Sequence, residues 1–254
     1  MSILQRHWDA RAAANFICGG AGSGLLVASA FVPSTRPVAV AVALALVAAG
    51  LGAVWLEIGR KLRAAHVFFN PFTSWMTRES FAALLVFLSG FGFLFTQNRI
   101  LLYGTAAAAV AFLYCQARIL HAAKGIPAWR EPRIVPLVVW TGLAEGAGLA
   151  LLFTVAATPL AVFAGALAAR AITWTRYRAA VKAPALAGPG RVLLWLGAVL
   201  PLVLLFVQET YAWAAPVAGV AGFAAGAWLK LALVTRASFK QDFSLPHLPV
   251  RGTR

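Results

Sequence analysis

Long apolar runs separated by short polar or basic gaps form the main pattern along the chain. Eight runs approach the roughly 20 residues that a helix needs to cross a bilayer, and none alternates like a barrel strand. They cover Ala12–Val32, Val38–Ile58, Ser80–Thr96, Ile100–Ala117, Ile134–Val155, Ala157–Trp174, Val192–Gln208 and Tyr211–Leu229. Because a backbone in lipid must satisfy its own hydrogen bonds, the pattern predicts an all-α integral membrane protein with eight transmembrane helices.

The gaps between the runs alternate between a few residues and longer loops, so all the longer loops and both termini fall on one side. Of the 22 Lys and Arg residues, twenty lie on that side, and only Arg36 and Arg99 lie on the other. Cytoplasmic loops of membrane proteins carry such an excess of basic residues. The sequence therefore predicts a multi-pass protein with both termini in the cytoplasm.

Composition excludes several other classes of protein. The 254 residues are 61% hydrophobic and 11% charged, whereas a soluble domain carries about 25% charged residues. The net charge of +15 does not indicate nucleic-acid binding, because the basic residues sit in gaps between apolar runs. Cys18 and Cys115 form no CxxC pair, so we predict no metal site in this chain. The polar opening segment also predicts no cleaved signal peptide.

Two glycine-rich segments suggest an internal repeat. Gly20-Ala-Gly-Ser-Gly-Leu-Leu26 is similar to Gly146-Ala-Gly-Leu-Ala-Leu-Leu152, which lies 126 residues further on. A parallel repeat would give two four-helix bundles, an N-terminal half over 1–133 and a C-terminal half with a cytoplasmic tail over 134–254. Small residues also recur at packed helix faces without any repeat, and both interpretations stay open.

Ionisable groups concentrate around the gap between the second and third runs. Glu57, His66 and Glu79 lie there with Arg60, Arg63 and Arg78. Carboxylates and a histidine at a membrane boundary could exchange protons with a quinone bound in an apolar slot. The same residues could instead form an ion-paired loop that holds two helix ends.

Three further features have alternative explanations. Trp129 and Arg130 lie in a proline-flanked gap that is typical of an interface belt or a protein-docking loop. Glu145, an acid inside a run, could relay protons or, in its protonated form, form a hydrogen bond to a neighbouring helix. The four histidines lie near or beyond the predicted cytoplasmic ends of the runs, so we predict no haem.

Several segments together resemble the membrane-anchor subunits of dimethyl sulfoxide reductase-type molybdoenzymes. The resemblance covers nearly the whole chain and includes the eight runs. Its motifs are Asn15-Phe-Ile-Cys-Gly-Gly-Ala-Gly-Ser-Gly24, Leu56-Glu-Ile-Gly-Arg-Lys-Leu-Arg63, Thr73-Ser-Trp-Met-Thr-Arg-Glu79, and Ala117-Arg118 followed by Ile126-Pro-Ala-Trp129. In that family the anchor carries no haem and exchanges electrons with ubiquinone or menaquinone. Its partners are a four-cluster iron–sulfur subunit and a catalytic subunit with molybdopterin or tungstopterin.

The resemblance implies functions for particular residues. The family's quinone-linked acid falls on Glu79, and its quinone-linked histidine falls on Glu57, so Glu57 and Glu79 share proton handling or His66 replaces the imidazole. The quinone-binding set is Asn15, Gly19, Gly20, Glu57, Arg60, His66, Trp75, Arg78 and Glu79. The partner-docking set is Arg63, Phe69, Trp129 and Arg130.

The predicted orientation narrows the resemblance to subfamilies. A catalytic arm on the cytoplasmic face of a bacterial inner membrane is similar to phenylacetyl-CoA:acceptor oxidoreductase and to cytoplasmic sulfite dehydrogenase.

The competing class is a secondary transporter or exporter with a parallel four-helix repeat, in which Glu145 would be the coupling acid. A transporter concentrates polar residues at mid-membrane, whereas most of them lie at one boundary here. A polytopic enzyme without redox partners is the third class, and the sequence has no nucleophile or metal constellation that supports it.

Overall fold

The computed structural model describes residues 3–4, 8–31, 36–57, 66–238 and 240–241. Eight helices fill most of this part of the chain. They are α1 Ala10–Ser29, α2 Arg36–Glu57, α3 Trp75–Thr96, α4 Arg99–Ala122, α5 Ile134–Ala150, α6 Ala157–Ala180, α7 Pro184–Phe206 and α8 Ala214–Thr235. Seven are long and apolar enough to cross a membrane, and α5 is shorter at 17 residues. The prediction of an all-α membrane protein with about eight helices is confirmed.

The helices extend beyond the predicted apolar runs on the side of the termini. α3 begins at Trp75 rather than Ser80, with the Ser74 hydroxyl accepting a hydrogen bond from the Thr77 N–H as its N-cap. α4 continues to Ala122, α6 to Ala180 and α8 to Thr235. Apolar runs mark the hydrocarbon depth, whereas a helix can continue through polar residues into the headgroup region.

The connections fix the directions of the helices. α3 ends at Gln97, whose left-handed backbone (φ 55°) reverses the chain, and Asn98 caps α4 by accepting from the Ile100 N–H. At the ends of the chain, strand β1 (Ile3–Leu4) pairs antiparallel with strand β2 (Lys240–Gln241). This pairing brings the first and last described segments to the same side of the bundle.

Helices α1 and α5 form the centre of the bundle and pack closely on each other. α1 also packs against α2 and α4, and α5 packs in the corresponding way against α6 and α8. The two halves therefore have matching contacts and share a central interface, although the division at residue 133 stays a prediction.

Glycines make the close approach of the central helices possible. A Cβ on Gly24 would collide with the Gly142 carbonyl, and a Cβ on Gly146 would collide with the Gly24 backbone. Small residues of this kind let transmembrane helices pack backbone to backbone. Gly24 and Gly146 belong to the two similar segments, so each similar segment lies at the interface between the halves.

Gly146→Ala is expected to destabilise the bundle by about 1–3 kcal/mol, the usual cost of overpacking a tight contact. The added methyl group meets the backbone of Gly24, which cannot move aside like a flexible side chain. Thermal unfolding in detergent measures the effect. Gly165→Ala in α6 is the matched control because nothing lies within 4 Å of its Cβ position. Equal unfolding temperatures for both variants would contradict the glycine interface.

Candidate functional site

The main cavity of the described structure lies between α1, α2 and α3 in the half of the bundle nearest the termini. Its volume is about 790 Å³. Thirteen of its sixteen lining residues are hydrophobic, and the polar ones are Asn15, Glu79 and Ser80. The hydrophobic lining consists of Trp8, Ala12, Phe16, Leu51, Val54, Trp55, Val67, Phe68, Met76, Ala83, Leu84, Phe87 and Ile119.

Glu79 supplies the only carboxylate among the lining residues. It is 6% exposed, and its Oε1 accepts a hydrogen bond of 3.2 Å from the Asn15 side-chain amide. It lies four residues into α3, which is about 6 Å along the axis at about 1.5 Å per residue. The site therefore combines an apolar slot with a buried acid that is close to the membrane surface.

A π turn in α1 shapes this polar corner. Residues Asn15–Gly19 form the turn, and the Asn15 carbonyl accepts a 3.0 Å hydrogen bond from the side-chain amide of Gln116 on α4. The Gln116 side chain is fully buried. Single π turns inside α-helices occur frequently at functional sites. Here the turn links α1 to α4 and holds Asn15 in position against Glu79.

The loop before α3 covers one end of the cavity. The Thr77 hydroxyl donates a 2.5 Å hydrogen bond to the Val67 carbonyl, and Phe68 packs edge-on against Phe81 at a centroid distance of 5.3 Å. Val67 and Phe68 thereby become part of the lining. The residues that hold this cover lie on the first two turns of α3, the same turns that carry Glu79.

The cavity opens toward the side of the bundle. Trp55, Met76 and Leu84 line it and are 45%, 49% and 46% exposed. These side chains belong to helices that are long and apolar enough to cross a membrane, so the opening lies on the outer surface of the helix bundle. A hydrophobic molecule dissolved in the bilayer could enter along this path.

The structure places two of the predicted quinone-binding residues, Trp75 and Arg78, beside the cavity rather than in its lining. The Arg78 guanidinium lies 4.3 Å from the Trp75 ring and donates to the carbonyls of Pro71 and Phe72. Arg118 lies 4.4 Å from the same ring. Arg78 and Trp75 therefore fasten the loop to α3, which supports the cavity without lining it.

Three of the other predicted quinone-binding residues do not line the cavity. Gly19 and Gly20 face the interior: a Cβ on Gly19 would meet Gln116, and a Cβ on Gly20 would meet Lys230. Their function is to make room for those polar side chains. His66 is exposed and packs edge-on against Phe69 at 5.4 Å.

The remaining predicted site residues fall into two groups: those whose side chains the structure does not describe and those predicted to dock a partner. α2 ends at Glu57, whose side chain lies outside the described residues, as do Arg60 and Arg63. Phe69 is 75% exposed, as a docking residue requires. Trp129 is fully buried and donates to the Leu233 carbonyl at 3.1 Å, so its ring is unavailable to a docking partner. Arg130 donates to the Lys124 carbonyl and organises the same loop.

A second buried polar cluster lies between α1, α5, α6 and α8. Glu145 and Lys230 form an ion pair of 2.5 Å, and Lys230 also donates to the Phe16 carbonyl in the π turn at 2.9 Å. Arg170 donates to the Gly222 carbonyl at 2.8 Å and to the carbonyl of Gly197, which lies in a second π turn, Trp195–Val199. All three charged side chains are at most 2% exposed.

This cluster corrects part of the charge count made from the sequence. Arg170 and Lys230 belong to the twenty basic residues assigned to the termini side, but they lie inside the bundle. Eighteen remain on that side against two on the other, so the asymmetry persists. Glu145 bonds to the neighbouring helix α8, but its partner is the Lys230 ammonium, which the sequence did not predict.

Sequence reasoning missed Gln116 as well as this cluster. Gln116 stands inside an apolar run without a recognisable motif, and only the fold shows that it contacts α1.

Within the described residues, no group of three or more His, Cys, Asp or Glu side chains could hold a metal ion. The main cavity combines an apolar lining with one buried carboxylate, Glu79. No model of a known protein family matches the chain, and neither does any curated protein.

Proposed function

We propose that this protein is the membrane-anchor and quinone-binding subunit of a molybdopterin oxidoreductase complex. The observation that carries the proposal is the cavity of about 790 Å³, open at the side of the helix bundle, with Glu79 as its only carboxylate. A quinone needs an apolar slot for its ring and isoprenoid tail, and a polar group that handles protons at its oxygens. The cavity offers both within one site.

The position of Glu79 suits proton exchange with a bound quinone. Reduction of a quinone to a quinol adds two electrons and two protons, and oxidation of the quinol releases them. A single carboxyl group carries one proton at a time, so Glu79 would exchange protons with water between the two proton transfers. Glu79 lies about 6 Å from the start of α3, so a proton has a short path between the site and water. The Asn15 amide orients the carboxylate, and the same pair of side chains can contact a quinone oxygen.

The electron partner is proposed from the resemblance and from the exposed loop beside the cavity. The resemblance implies a four-cluster iron–sulfur subunit that connects the anchor to a catalytic subunit with molybdopterin or tungstopterin. Phe69 and Phe72 precede α3 on the termini side and are 75% and 87% exposed. Large exposed aromatic side chains at one place are typical of protein interfaces. This loop would bring a docked redox centre close to the cavity.

The charge asymmetry supports a cytoplasmic position for that partner. With Arg170 and Lys230 set aside, eighteen basic residues lie on the termini side and two on the other. The positive-inside rule then orients the termini and the docking loop toward the cytoplasm of a bacterial inner membrane. The substrate oxidised or reduced by the complex would be a cytosolic one.

Purification of the full chain in mild detergent tests the proposal. The expected result is co-purification of an iron–sulfur protein together with extractable ubiquinone or menaquinone. A reporter fused to the C-terminus should report a cytoplasmic location in the same cells. A chain that purifies alone and contains no quinone would contradict the proposal.

A secondary transporter is the alternative function, and one observation favours it. The Glu145–Lys230 pair and Arg170 lie deep in the bundle and bond to carbonyls in two π turns. Transporters often place coupling groups at interrupted helices near mid-membrane. None of these three residues lines the main cavity, however. The acid that lines it is Glu79, which lies near the start of α3. The double variant Glu145→Gln with Lys230→Met separates the two functions.

A further inference from the structure

A second groove lies on the outer surface of the C-terminal half, between α7 and α8. Its volume is about 300 Å³, and its lining consists of Gly188, Arg191, Val192, Trp195, Leu196 and Trp228. It shares no lining residue with the main cavity. Neither the proposed quinone site nor the docking loop explains it.

The groove lies near the membrane surface on the termini side. Arg191 is seven residues after the start of α7, and Trp228 is seven residues before the end of α8. Both are therefore about 10 Å along their helices from the ends on the termini side, at about 1.5 Å per residue. This depth lies close to the boundary between lipid headgroups and acyl chains, where tryptophan and arginine side chains are favoured.

Among the residues that the structure describes, Arg191 is a cation without a partner. Its side chain is exposed, and the described structure gives it no hydrogen bond or ion pair. Arg78, Arg130 and Arg178 differ, since each donates to a backbone carbonyl of its own chain. Neither α7 nor α8 contains an Asp or Glu that could neutralise Arg191. Its charge therefore favours an anion from outside the chain.

Two tryptophans form an apolar surface below this cation. Trp195 is 65% exposed and Trp228 is 42% exposed, and both line the groove. Neither indole N–H has a hydrogen-bond partner in the described structure, so both remain available as donors. A ligand that suits the groove carries a phosphate at one end and a hydrocarbon chain at the other.

We propose that the groove binds one anionic phospholipid from the leaflet on the termini side. The Arg191 guanidinium pairs with the phosphate, and the acyl chain lies on Trp195 and Trp228. Guanidinium and phosphate form strong, charge-assisted hydrogen bonds. The site is independent of the quinone proposal, because it uses other residues in the other half of the chain.

Native mass spectrometry of the delipidated full-length protein tests this site. The protein is titrated with phosphatidylglycerol and with phosphatidylcholine that carries identical acyl chains. We expect one phosphatidylglycerol per chain, retained at least about tenfold more strongly than phosphatidylcholine. Arg191→Gln should remove this preference, and Trp228→Leu should weaken the binding of both lipids. The Trp228 variant keeps the test informative if the Arg191 variant does not fold.

Arg236→Gln is the matched control, because Arg236 is an exposed cation just beyond the same end of α8. It should keep the preference for phosphatidylglycerol. Equal loss in the Arg191 and Arg236 variants would indicate a diffuse attraction of the basic face and would overturn the site. Inorganic phosphate should not displace the lipid at millimolar concentration. Displacement by phosphate alone would indicate a simple anion site and would also overturn the proposal.

Discussion

Glu79→Gln is expected to lower quinone-linked electron transfer by about 100-fold or more, because a positioned acid–base group contributes about 10²–10⁴-fold to a proton-transfer step. Glu79 is the only ionisable side chain among the residues that line the cavity. Glutamine keeps the shape of the side chain and an oxygen for the Asn15 amide, which lies 3.2 Å from the carboxylate. The loss would therefore report proton handling rather than packing.

The measurement is the rate at which a quinol analogue reduces the iron–sulfur centres of the purified complex, or the reverse reaction. Ser80→Ala is the control at the next position. Its hydroxyl also lines the cavity but donates to the Met76 carbonyl and carries no titratable proton, so the rate should change by less than about twofold. A normal rate in the Glu79 variant would exclude this carboxylate from the reaction.

A substitution that fills the cavity tests whether its space, and not only the Glu79 carboxylate, is needed for quinone binding. Ala83 lines the cavity, and Ala83→Phe would place a ring in the space proposed for quinone. We expect weaker quinone binding even though Glu79 is retained. Ala107→Phe makes the identical substitution on the exposed side of α4 and should have little effect, since Ala107 is exposed and does not line the cavity.

The apolar runs predicted the helices well because spanning helices need long hydrophobic segments in any fold. Their ends were less accurate on the termini side, where α3 starts five residues earlier and α8 ends six residues later than predicted. A hydropathy pattern marks where lipid begins, not where hydrogen bonding of the helix ends. For this reason the sequence predicted Glu79 at the start of the third helix, whereas the structure has it one turn inside α3.

The candidate site was predicted in part. Glu79 and Asn15 were named from the sequence, and the structure brings their side chains into contact across 64 positions of the chain. Gln116 and the π turn in α1 could not be inferred, because a π turn has no sequence signature that distinguishes it from an α-helix. Trp129 shows the opposite error: an aromatic residue in a polar loop indicates a surface, but the loop folds it into the interior.

The buried cations were missed for a related reason. Arg170 stands inside the predicted run Ala157–Trp174, and Lys230 directly follows the run that ends at Leu229. Both were assigned to the nearest basic gap. An arginine inside an otherwise apolar run is expensive unless the fold gives it partners. Arg170 could therefore have been recognised as a buried group, but its carbonyl partners on α7 and α8 could not.

Lys230→Met alone is expected to destabilise the protein by about 3 kcal/mol, because it removes the partner in direct contact with the buried Glu145 carboxylate and leaves only the Arg170 guanidinium nearby. Lys230 is 2% exposed and Glu145 is fully buried, and their side chains are 2.5 Å apart. The variant also leaves the Phe16 carbonyl in the π turn without the lysine ammonium, which donates to it at 2.9 Å. Unfolding in detergent with increasing denaturant measures the change.

Lys182→Met is the matched control, since it is the same substitution at an exposed lysine. Surface substitutions of this kind usually change stability by less than about 0.5 kcal/mol. Similar stability of the Lys230 and Lys182 variants would contradict the buried ion pair.

The double variant Glu145→Gln with Lys230→Met separates a structural ion pair from a transport site. It removes both charges, and glutamine keeps a polar oxygen near Arg170, since the Glu145 carboxylate and the Arg170 guanidinium lie against the same residue, Gly226. Replacing a buried pair by uncharged residues is often neutral or stabilising. Arg170 stays charged in the double variant but keeps its hydrogen bonds to the Gly222 and Gly197 carbonyls, so part of the stability lost in the single variant should return. Because neither residue lines the main cavity, quinone-linked electron transfer should stay within about threefold of the parent rate. A stable double variant that loses this activity would place Glu145 in the proton path, whereas loss of transmembrane ion movement with intact electron transfer would support the transporter.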